Sequence, residues 1–507
     1  MSLARVLSRA QLGLDAPLVQ VELHVGAGLP NFTIVGLPAP VVRESRERVR
    51  AALLNSGYEF PVARITVNLA PVELSKEGGR FDLPIALGLL IASGQLSPPQ
   101  LAFECYGELG LAGELRPVCG LLLAALCAAK AGHALLVPDA NREEVQLSGH
   151  PAAYGASNLR EAAARLAAGG APGAAQIEVD QPLTQARSAQ QASVPSALAD
   201  VMGQWHAKRA LIVAAAGGHS LLMIGPPGSG KSMLAARLPR LLPPLSRAEE
   251  LEVASIASVS GIALDARRCL APPFRSPHHT ASAQAIVGGG AQLRPGEISL
   301  AHRGVLFLDE LPEFDRRVLE SLREPLETGA ITIVRAAARL ELPAQFQLVA
   351  AMNPCPCGYL GDCLQLCRCS PARIDRYRQR ISGPLLDRID IRVEVPRVPP
   401  EELVATSDAT SAAAHDAVAQ VQAARSRRLA QSGVVSARLT PAQLRRCCQL
   451  PRAAELLLQR SCLQLGLSGR GVHRLLAISR TIADLEASES IETAHLAEAI
   501  QLRRPLT

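Results

Sequence analysis

The stretch LLMIGPPGSGKSMLAARL, residues 221–238, decides the fold of the largest part of this 507-residue chain. Its centre matches the pattern G-x-x-x-x-G-K-[ST] and lies between an apolar strand-like run and an apolar helical segment. The eight residues of the motif are Gly225, Pro226, Pro227, Gly228, Ser229, Gly230, Lys231 and Ser232. In such a loop, backbone N–H groups surround phosphate oxygens, the lysine reaches the β- and γ-phosphates and the hydroxyl binds Mg²⁺. The sequence therefore predicts a site for ATP and Mg²⁺.

Two neighbouring carboxylates end a second apolar run, VLFLDE at 305–310. We expect Asp309 to hold Mg²⁺, mostly through water, and Glu310 to polarise the water that attacks the terminal phosphate. A third run, QFQLVAAMN, covers 345–353, and helical segments separate the three runs. Buried runs in this arrangement predict a parallel sheet with its ligand at the carboxyl ends of the strands.

Changes in composition along the chain predict an α/β protein of several domains. Residues 1–167 alternate strand-like runs, such as VQVELHV, with helical stretches rich in Ala and Leu, which predicts a mixed α/β domain. Residues 168–195 are rich in Gly, Pro, Ser and Gln and predict a linker. The predicted ATPase domain covers 196–400, and residues 401–507 are helical by periodicity.

Composition restricts the class of partner and the location. The chain has only 1 Trp, 5 Tyr and 8 Phe, too few for a nucleic-acid surface built from stacking aromatics, while its net charge of +6 permits a polyanionic partner. Two uncharged stretches, 83–103 and 210–230, are interrupted by Pro, Gln or His and predict no membrane span. The N-terminus has no apolar segment followed by a cleavage site. We therefore expect a cytoplasmic protein without a membrane partner.

Three segments resemble a known family. They are FRSPHHTASAQAIVGGGAQLRPGEISLAHRGVLFLDELPEF at 274–314, AAMNPCPCG at 350–358 and ISGPLLDRIDI at 381–391. They resemble the Mg-chelatase-like AAA+ proteins, and within them the ComM (YifB) family, and the resemblance covers nearly the whole chain. It implies a homo-hexameric ring ATPase whose sites lie between subunits, with a polar sensor, an arginine finger from the neighbour and a C-terminal helical lid.

The resemblance also implies roles for single residues. Asn353, at the end of QFQLVAAMN, matches the sensor that positions the water. Arg388 in LLDRID matches the arginine finger, which stabilises charge in the transition state. Arg470 in LSGRGVHRLL matches the second sensor in the lid, with Arg474 as the alternative. Each arginine is open to a second interpretation, a surface side chain with a solvated head group.

The runs ITIV at 331–334 and RLEL at 339–342 predict a β-hairpin. It resembles the pre-sensor hairpin of the AAA+ branch that includes the MCM helicases, in which Arg335 would contact DNA near the tip; the alternative is a charged turn that protects a sheet edge. Residues 277–297 resemble the helix-2 insert, which also lines the pore. Adjacent side chains usually point apart, so we expect His278 and His279 to serve structure or this loop rather than a metal.

Five cysteines lie within residues 355–369. Two C-x-C pairs predict a structural Zn²⁺ site, and Cys363 is left over. The predicted ligands are Cys355, Cys357, Cys367 and Cys369. The spacing is tighter than in usual zinc sites, so reduced thiols or a redox pair remain as alternatives.

The N-terminal domain resembles the S5-like proteolytic domain of Lon proteases in LSKEGGRFDLPIAL at 74–87 and in LGLAGELRPVCGLLLAALCAAKAG at 109–132. Those enzymes use a Ser–Lys dyad, but Arg80 stands at the serine position and Leu122 at the lysine position. Ser75 and Lys76 are neighbours whose side chains would have to converge. We expect a fold reused for assembly or DNA handling, or a merely solvated basic face. The basic residues are Arg43, Arg46, Arg48, Arg50 and Lys76.

The residues themselves predict ATP hydrolysis. The resemblance implies a DNA motor, a helicase or translocase that promotes branch migration during recombination in natural transformation. Its partners would be single-stranded, double-stranded and branched DNA, with recombination proteins as further candidates. The main alternative is a chelatase-like or protein-remodelling ATPase. The missing dyad disfavours a protease, and the carboxylate of Glu310 with Arg388 disfavours a nucleotide switch that does not hydrolyse ATP rapidly.

Overall fold

The computed structural model describes residues 2–169, 177, 197–198, 200–262, 264, 271–290, 294–335, 338–362, 364–399 and 409–503. The described residues form two compact units, Met1–Arg187 with Arg247–Cys269, and Ser188–Ser246 with Leu270–Thr507. The predicted linker 168–195 lies almost wholly outside the described residues. Within the part of the chain that is described, no helix is both long and apolar enough to span a membrane.

The first unit contains a seven-stranded mixed sheet of the order β3-β4-β2-β1-β5-β8-β9 and a short hairpin, β6-β7. The strands are β1 Ser2–Arg9, β2 Leu18–Gly26, β3 Asn31–Val35, β4 Arg64–Ala70, β5 Phe103–Cys105, β6 Glu108–Leu109, β7 Leu115–Arg116, β8 Ala134–Pro138 and β9 Ala153–Ala156. The helices are Pro40–Arg43, Ser45–Asn55, Asp82–Ala92, Leu121–Ala131, Arg142–Ser148, Leu159–Ala167 and Arg247–Val259.

The core of the first unit follows from the period of two in its strands. Along β2, Val19, Val21 and Leu23 are fully buried, while the residues between them are more exposed. The helix Asp82–Ala92 is apolar over almost its whole length and buried, so it lies in the core rather than on the surface.

The helix Arg247–Val259 belongs to the first unit although the sequence places it within the predicted ATPase domain 196–400. Ala254 of this helix is buried with Leu122 and Leu147 of the first unit. The structure therefore differs from the prediction of one continuous domain, because the apolar side of this helix finds its core among N-terminal residues.

The second unit contains a five-stranded parallel sheet of the order β11-β14-β17-β10-β18, with two small hairpins, β12-β13 and β15-β16. The strands are β10 Leu221–Ile224, β11 Phe274–Arg275, β12 Gly288–Gly289, β13 Arg294–Pro295, β14 Val305–Leu308, β15 Ala330–Arg335, β16 Ala338–Pro343, β17 Gln347–Met352 and β18 Ile391–Glu394. The predicted apolar runs form the neighbouring strands β14, β17 and β10, so the parallel sheet is confirmed.

Helices surround this sheet and form the C-terminal region, as the sequence predicts. Between the strands they are Trp205–Gly217, Lys231–Ala235, Leu238–Leu241, Ala283–Val287, Glu297–Leu300, Arg316–Ser321, Arg323–Thr328, Pro371–Arg378 and Gly383–Leu386. After the sheet they are Ala409–Ser432, Pro441–Cys447, Arg452–Leu465, Gly469–Leu485 and Thr493–Gln501. A buried ion pair ties the C-terminal helices together, since Arg428 Nη2 donates to Asp484 Oδ1 at 2.8 Å.

The register of the parallel strands positions the site. Ile224 of β10 pairs with Met352 of β17, and Leu308 of β14 pairs with Ala350 of β17. The residues that follow these three strands therefore meet at one edge of the sheet, the usual ligand position in open α/β folds.

Candidate nucleotide site, cysteine cluster and dyad region

The phosphate loop, residues 225–230, leads from β10 into the helix Lys231–Ala235. A Cβ atom at Gly225 would lie 2.1 Å from the carbonyl oxygen of Val395, so only glycine fits this close approach. Gly230 has φ +88°, in the left-handed region that favours glycine. The buried hydroxyl of Ser229 has no hydrogen-bond partner among the described residues. A loop with an unused buried hydroxyl fits an oxyanion such as phosphate.

The loop lines an open pocket of about 360 Å³ together with the residues that follow the neighbouring strands. The lining residues are Pro227, Gly228, Ser229, Gly230, Lys231, Ser232, Met233, Asp309, Glu310, Met352 and Asn353. The structure thus brings together the predicted loop, carboxylates and sensor asparagine. The pocket is polar and large enough for the phosphate end of a nucleotide.

Lys231 carries its ammonium group on the inside of the loop. Nζ donates to the carbonyl oxygens of Gly225 and Pro226, both at 2.8 Å, and lies 3.3 Å from Asn353 Oδ1. Burial lowers the pKa of Lys231, and the carboxylates of Asp309 and Glu310 oppose this effect. Among the described residues, the ammonium group donates its hydrogen bonds to neutral oxygens, and phosphate oxygens would bind it more strongly.

The oxygen atoms that could bind a divalent cation are adjacent. Ser232 Oγ donates to Asp309 Oδ2 at 2.6 Å, and the backbone N–H of Glu310 donates to Asp309 Oδ1 at 2.9 Å. A hydroxyl and a carboxylate are the hard ligands that Mg²⁺ prefers, so this pair fits that ion. Glu310 has φ +52°, uncommon for a residue other than glycine, and such strain occurs preferentially at functional sites.

Sequence reasoning missed the contact between His279 and Glu310. His279 Nδ1 lies 3.2 Å from Glu310 Oε2, and the rings of His278 and His279 lie with their centroids 4.1 Å apart. The expectation that the two histidines point apart is therefore wrong. The only signal in the sequence is that His279 follows the short strand β11, which pairs with β14, the strand before Glu310.

The two arginines assigned by resemblance do not line this pocket. Arg388 Nη2 donates to Glu327 Oε1 at 2.6 Å, and Arg470 Nη1 lies 3.0 Å from the same oxygen. Arg388 is 5% exposed, so its interpretation as a solvated surface side chain is wrong, whereas the side chain of Arg470 is 64% exposed. Nothing in the sequence indicated Glu327.

Arg474, the alternative to Arg470, is engaged elsewhere. Its Nη1 donates to the carbonyl oxygen of Arg388 at 2.7 Å and to the buried carboxylate of Asp390. Burial alone would raise the pKa of Asp390, but Arg474 and His219 outweigh this and hold the pKa well below its ordinary value. Arg474 therefore fixes the backbone around Arg388.

Four cysteines converge directly after Asn353. The Sγ atom of Cys355 lies 3.3 Å from that of Cys357 and 3.6 Å from that of Cys367. Cys369 completes the cluster, in which all four Sγ atoms lie within 4.8 Å of one another. Four thiolates around Zn²⁺ stand about 3.8 Å apart, given Zn–S bonds of about 2.3 Å. The cluster could therefore hold a metal ion. Cys363 lies outside the described residues.

We use the term dyad region for the surroundings of Arg80 and Leu122, the two positions that the sequence resemblance aligns with the serine and lysine of Lon proteases. Arg80 Nη2 donates to Gln11 Oε1 and to the carbonyl oxygen of Cys119, both at 2.7 Å. Leu122 is fully buried and packs in a cluster with Ala254 of the helix Arg247–Val259. Neither Arg80 nor Leu122 can serve as the nucleophile or the base of a Ser–Lys dyad.

The helix Arg247–Val259 also forms polar contacts in the dyad region. The backbone carbonyl oxygen of Ser258 accepts a hydrogen bond from the N–H of Gly120 at 3.1 Å. The hydroxyl of Ser258 donates to the carboxylate of Glu144. The same carboxylate accepts from the N–H of Leu122 at 2.9 Å. The chain itself therefore occupies the hydrogen-bonding groups and the apolar surface of this region.

Ser75 and Lys76 do not form a substitute dyad. Lys76 is fully buried, and its Nζ donates to the carbonyl oxygen of Pro71. The hydroxyl of Ser75 instead donates to Glu77 Oε1 at 3.4 Å. The expected separation of the two side chains is observed.

The basic surface expected on the first unit is reduced by pairing. Arg48 Nε donates to Asp82 Oδ2 at 2.7 Å, and Arg46 lies 3.4 Å from Glu47. Because Lys76 is buried, its assignment to a basic surface is wrong. Composition alone therefore overstates the charge available there for DNA.

The predicted hairpin is present as β15 and β16. Arg335 is the last residue of β15, and its backbone pairs with Ala338 at the tip. The side chain of Arg335 and the tip residues 336–337 lie outside the described part of the structure. The backbone position agrees with that expected from the sequence.

Comparison with known proteins assigns the family. The family model for magnesium chelatase, subunit ChlI, matches residues 197–403, and two further ChlI models match 21–141 and 408–503. The chain is 46% identical to the competence protein ComM of Haemophilus influenzae, over 99% of this chain and 98% of ComM. The chain belongs to the ComM/YifB family of magnesium-chelatase-like proteins. YifB of Escherichia coli is also 46% identical, over 99% of this chain and 97% of YifB.

Similarity to the chelatase subunits themselves is weaker. The magnesium-chelatase 38 kDa subunit of Acidiphilium rubrum is 26% identical over 42% of this chain and 55% of that subunit. ComM and YifB are thus matched over nearly their full length, whereas this chelatase subunit is matched over 55% of its own.

Proposed function

We propose that this member of the ComM/YifB family is a cytoplasmic, ATP-hydrolysing hexameric DNA motor that promotes branch migration during recombination in natural transformation. The observation that carries the proposal is the convergence of phosphate loop, carboxylate pair and Asn353 at one edge of the parallel sheet. The similarity to the competence protein ComM of H. influenzae supports the link to competence.

In this proposal the chain's own residues divide the work at the pocket. Lys231 holds the β- and γ-phosphates, and Ser232 and Asp309 hold Mg²⁺, which neutralises charge on the phosphates. Glu310 accepts a proton from the attacking water, and Asn353 orients that water. The contact of 3.3 Å between Lys231 and Asn353 supports a shared position at the terminal phosphate.

Arg388 and Arg470 complete the site of a neighbouring copy. Neither lines the pocket of its own chain, which supports a role in trans and therefore a ring of subunits. A guanidinium group beside the terminal phosphate stabilises the transition state and is worth about 10³–10⁵ in rate in other nucleotide hydrolases. The homo-hexamer is the assembly that the family resemblance implies.

Arg335 contacts the DNA backbone in this proposal. Its place at the tip of the hairpin supports a phosphate contact that carries no sequence information, so single-stranded, double-stranded and branched DNA would all bind. Recombination proteins would direct the ring to its substrate.

The experiment that tests the function is ATP hydrolysis with Mg²⁺, alone and with each type of DNA, together with the mass of the assembly. We expect hydrolysis to rise with DNA and a mass six times that of one chain. Movement of a labelled branched junction is the next measurement. Hydrolysis that no DNA stimulates would favour the alternative, a chelatase-like or protein-remodelling ATPase.

The hairpin contact is tested with Arg335→Ala, with Arg335→Lys as the matched control. We expect the alanine variant to bind DNA more weakly and with a smaller dependence on salt, because a phosphate contact is lost, while hydrolysis without DNA is retained. The lysine variant keeps the charge and most of the affinity. Equal DNA affinity of wild type and Arg335→Ala would remove this residue from the interface.

We also propose that the four-cysteine cluster holds structural Zn²⁺. All four positions would be filled by thiolates, which leaves none open for catalysis. Elemental analysis of the purified protein should give one zinc per chain, and Cys367→Ser should lose it. Cys363→Ser is the control that should keep zinc. Retention of zinc by both variants would contradict the assignment.

A further inference from the structure

One carboxylate connects three parts of the second unit. Glu327 lies in the helix Arg323–Thr328, immediately before the hairpin β15-β16. Its Oε1 atom accepts from Arg388, which precedes β18, and contacts Arg470, the second residue of the helix Gly469–Leu485. The two arginines assigned to the neighbour's phosphates are therefore held by the same oxygen atom.

The charge balance of this group favours an additional anion. Burial lowers the pKa of Arg388, Glu327 opposes this, and the nearby Arg323, Arg470 and Arg474 lower it further. Arg474 is paired with Asp390 and Arg323 with Glu320. Among the described residues, Glu327 is the carboxylate that contacts both remaining guanidinium groups, which leaves one positive charge for a phosphate oxygen to neutralise.

The guanidinium group of Arg388 is held in place by a second contact besides Glu327. Its Nη1 donates to the carbonyl oxygen of Pro384 at 2.7 Å, and its buried Nε has no hydrogen-bond partner among the described residues. With one N–H on each Nη atom fixed and the N–H on Nε unused, the five-donor guanidinium is orientated rather than saturated.

The connection from Glu327 to the hairpin is short and rigid. The helix ends at Gly329, which has φ +73°, and Thr328 Oγ1 donates to the carbonyl oxygen of Ala330 at 2.9 Å. The other strand of the hairpin is tied to the same point, because the N–H of Ala344 donates to the carbonyl oxygen of Gly329 at 2.8 Å. A displacement of either hairpin strand would therefore move the end of the helix that carries Glu327.

We propose that Glu327 is a positioning residue that holds Arg388 and Arg470 as a pair for one terminal phosphate of a neighbouring copy and links their position to the hairpin. The inference rests on the proposed function, because it takes both arginines as phosphate ligands. Glu327 touches no phosphate itself. DNA at the hairpin would act on hydrolysis through the helix Arg323–Thr328.

The test compares full-length Glu327→Gln with Glu324→Gln, which removes the same charge from an exposed side chain of the same helix. We expect Glu327→Gln to lower kcat by about ten- to a hundredfold, since a small misplacement of a catalytic group has this cost. KM for ATP should stay within about twofold because the phosphate loop is untouched. Stimulation by single-stranded DNA should be lost. Glu324→Gln should retain the kcat and the stimulation of wild type.

Glu327→Asp is the second variant, for the case that Glu327→Gln does not fold. Aspartate keeps the negative charge but has a shorter side chain. Its kcat and DNA stimulation should both lie between those of wild type and Arg388→Ala. If a folded Glu327→Gln or Glu327→Asp retains wild-type kcat and stimulation while Arg388→Ala loses hydrolysis, the positioning role is overturned and the function stands. If Arg388→Ala also hydrolyses ATP normally, the role of the arginine in the proposed function fails instead.

Discussion

The phosphate loop and the dyad region differ in what surrounds their polar groups. In the loop, Lys231 is held by two carbonyl oxygens, and Ser229 keeps a buried hydroxyl without a partner among the described residues. In the dyad region, Glu144 is already bonded to Leu122 and Ser258. One site has polar groups available to a ligand, whereas the other has satisfied its groups within the chain.

This difference indicates which of the two regions offers polar groups to a ligand. An unpaired buried polar group costs free energy and persists where a ligand repays it. In the dyad region the helix Arg247–Val259 instead supplies packing, with Ala254 against Leu122. The buried hydroxyl of Ser229, which has no partner among the described residues, is thus more informative about function than the fold around it.

The largest expected effect concerns the carboxylate of the open site. Glu310→Gln should leave ATP binding intact and lower kcat by about 10²–10⁴, because it removes the base but none of the phosphate ligands. Nucleotide affinity and steady-state hydrolysis are the measurements. Glu313→Gln is the matched control, since Glu313 pairs with Arg380 at 2.6 Å and should be dispensable for hydrolysis. Normal turnover by Glu310→Gln would exclude it as the base.

A double substitution in the dyad region tests whether this region is accessible to a substrate. Arg80→Ser with Leu122→Lys restores the residue types of a Ser–Lys dyad, yet we expect no hydrolysis of a fluorescent casein substrate because the chain fills this region. The new lysine would lie in an apolar cluster at a cost of about 3 kcal/mol. Arg80→Ser with Leu122→Met is the control that avoids the buried charge. Peptidase activity of the lysine variant would show that the region is accessible.

Local patterns predicted the open site well, and contacts distant in sequence escaped them. The phosphate loop, Asp309 and Asn353 each follow an apolar strand, and the register of a parallel sheet is enough to bring them together. The position of the helix Arg247–Val259 depends on Leu122, more than a hundred residues earlier. No periodicity in either segment encodes that pairing.

The same limit applies to the residues added by the structure. Glu327 and His279 are single polar residues outside any motif, and each is identified only by a distance, 2.6 Å to Arg388 and 3.2 Å to Glu310. The burial of Lys76 was missed because counting basic residues assumes that each of them lies on the surface. Residue type predicted chemistry here, and three-dimensional contact decided where that chemistry is available.

The next expected effect is on the stability of the second unit and comes from the buried carboxylate of Asp390. The pKa of Asp390 is held below its ordinary value by Arg474 and His219 in spite of burial, so this stabilisation is present above the unfolded pKa of about 4 and is lost as the pH falls below it. Asp390→Asn should lower stability by about 3–5 kcal/mol at pH 7 because Arg474 is left unpaired. Because ATP should stabilise the unit that binds it, the thermal transition that moves on addition of ATP measures the unfolding of the second unit.

Two outcomes decide that prediction. Asp387→Asn is the control, because Asp387 raises the pKa of Arg392 and Arg503 by charge alone and its loss should shift the transition less. Asp390→Asn should also flatten the dependence of the transition on pH below about pH 4, where the carboxylate of wild type becomes protonated. An equal pH dependence in wild type and Asp390→Asn would show that the ion pair with Arg474 does not stabilise the unit.

The smallest expected effect tests how the dyad region is held closed. Ser258→Ala removes the hydroxyl that donates to Glu144 and should lower the stability of the first unit by about 1 kcal/mol, measured in the thermal transition that ATP does not shift. Ser260→Ala is the control from the adjacent turn, because within the described ranges its hydroxyl bonds to the carbonyl oxygen of Ile256 at 2.8 Å, in its own helix. If both variants shift the transition equally, the contact with Glu144 contributes nothing specific. The region would then be closed by the packing of Ala254 against Leu122 alone, and the contrast with the phosphate loop would rest on apolar contact rather than on satisfied polar groups.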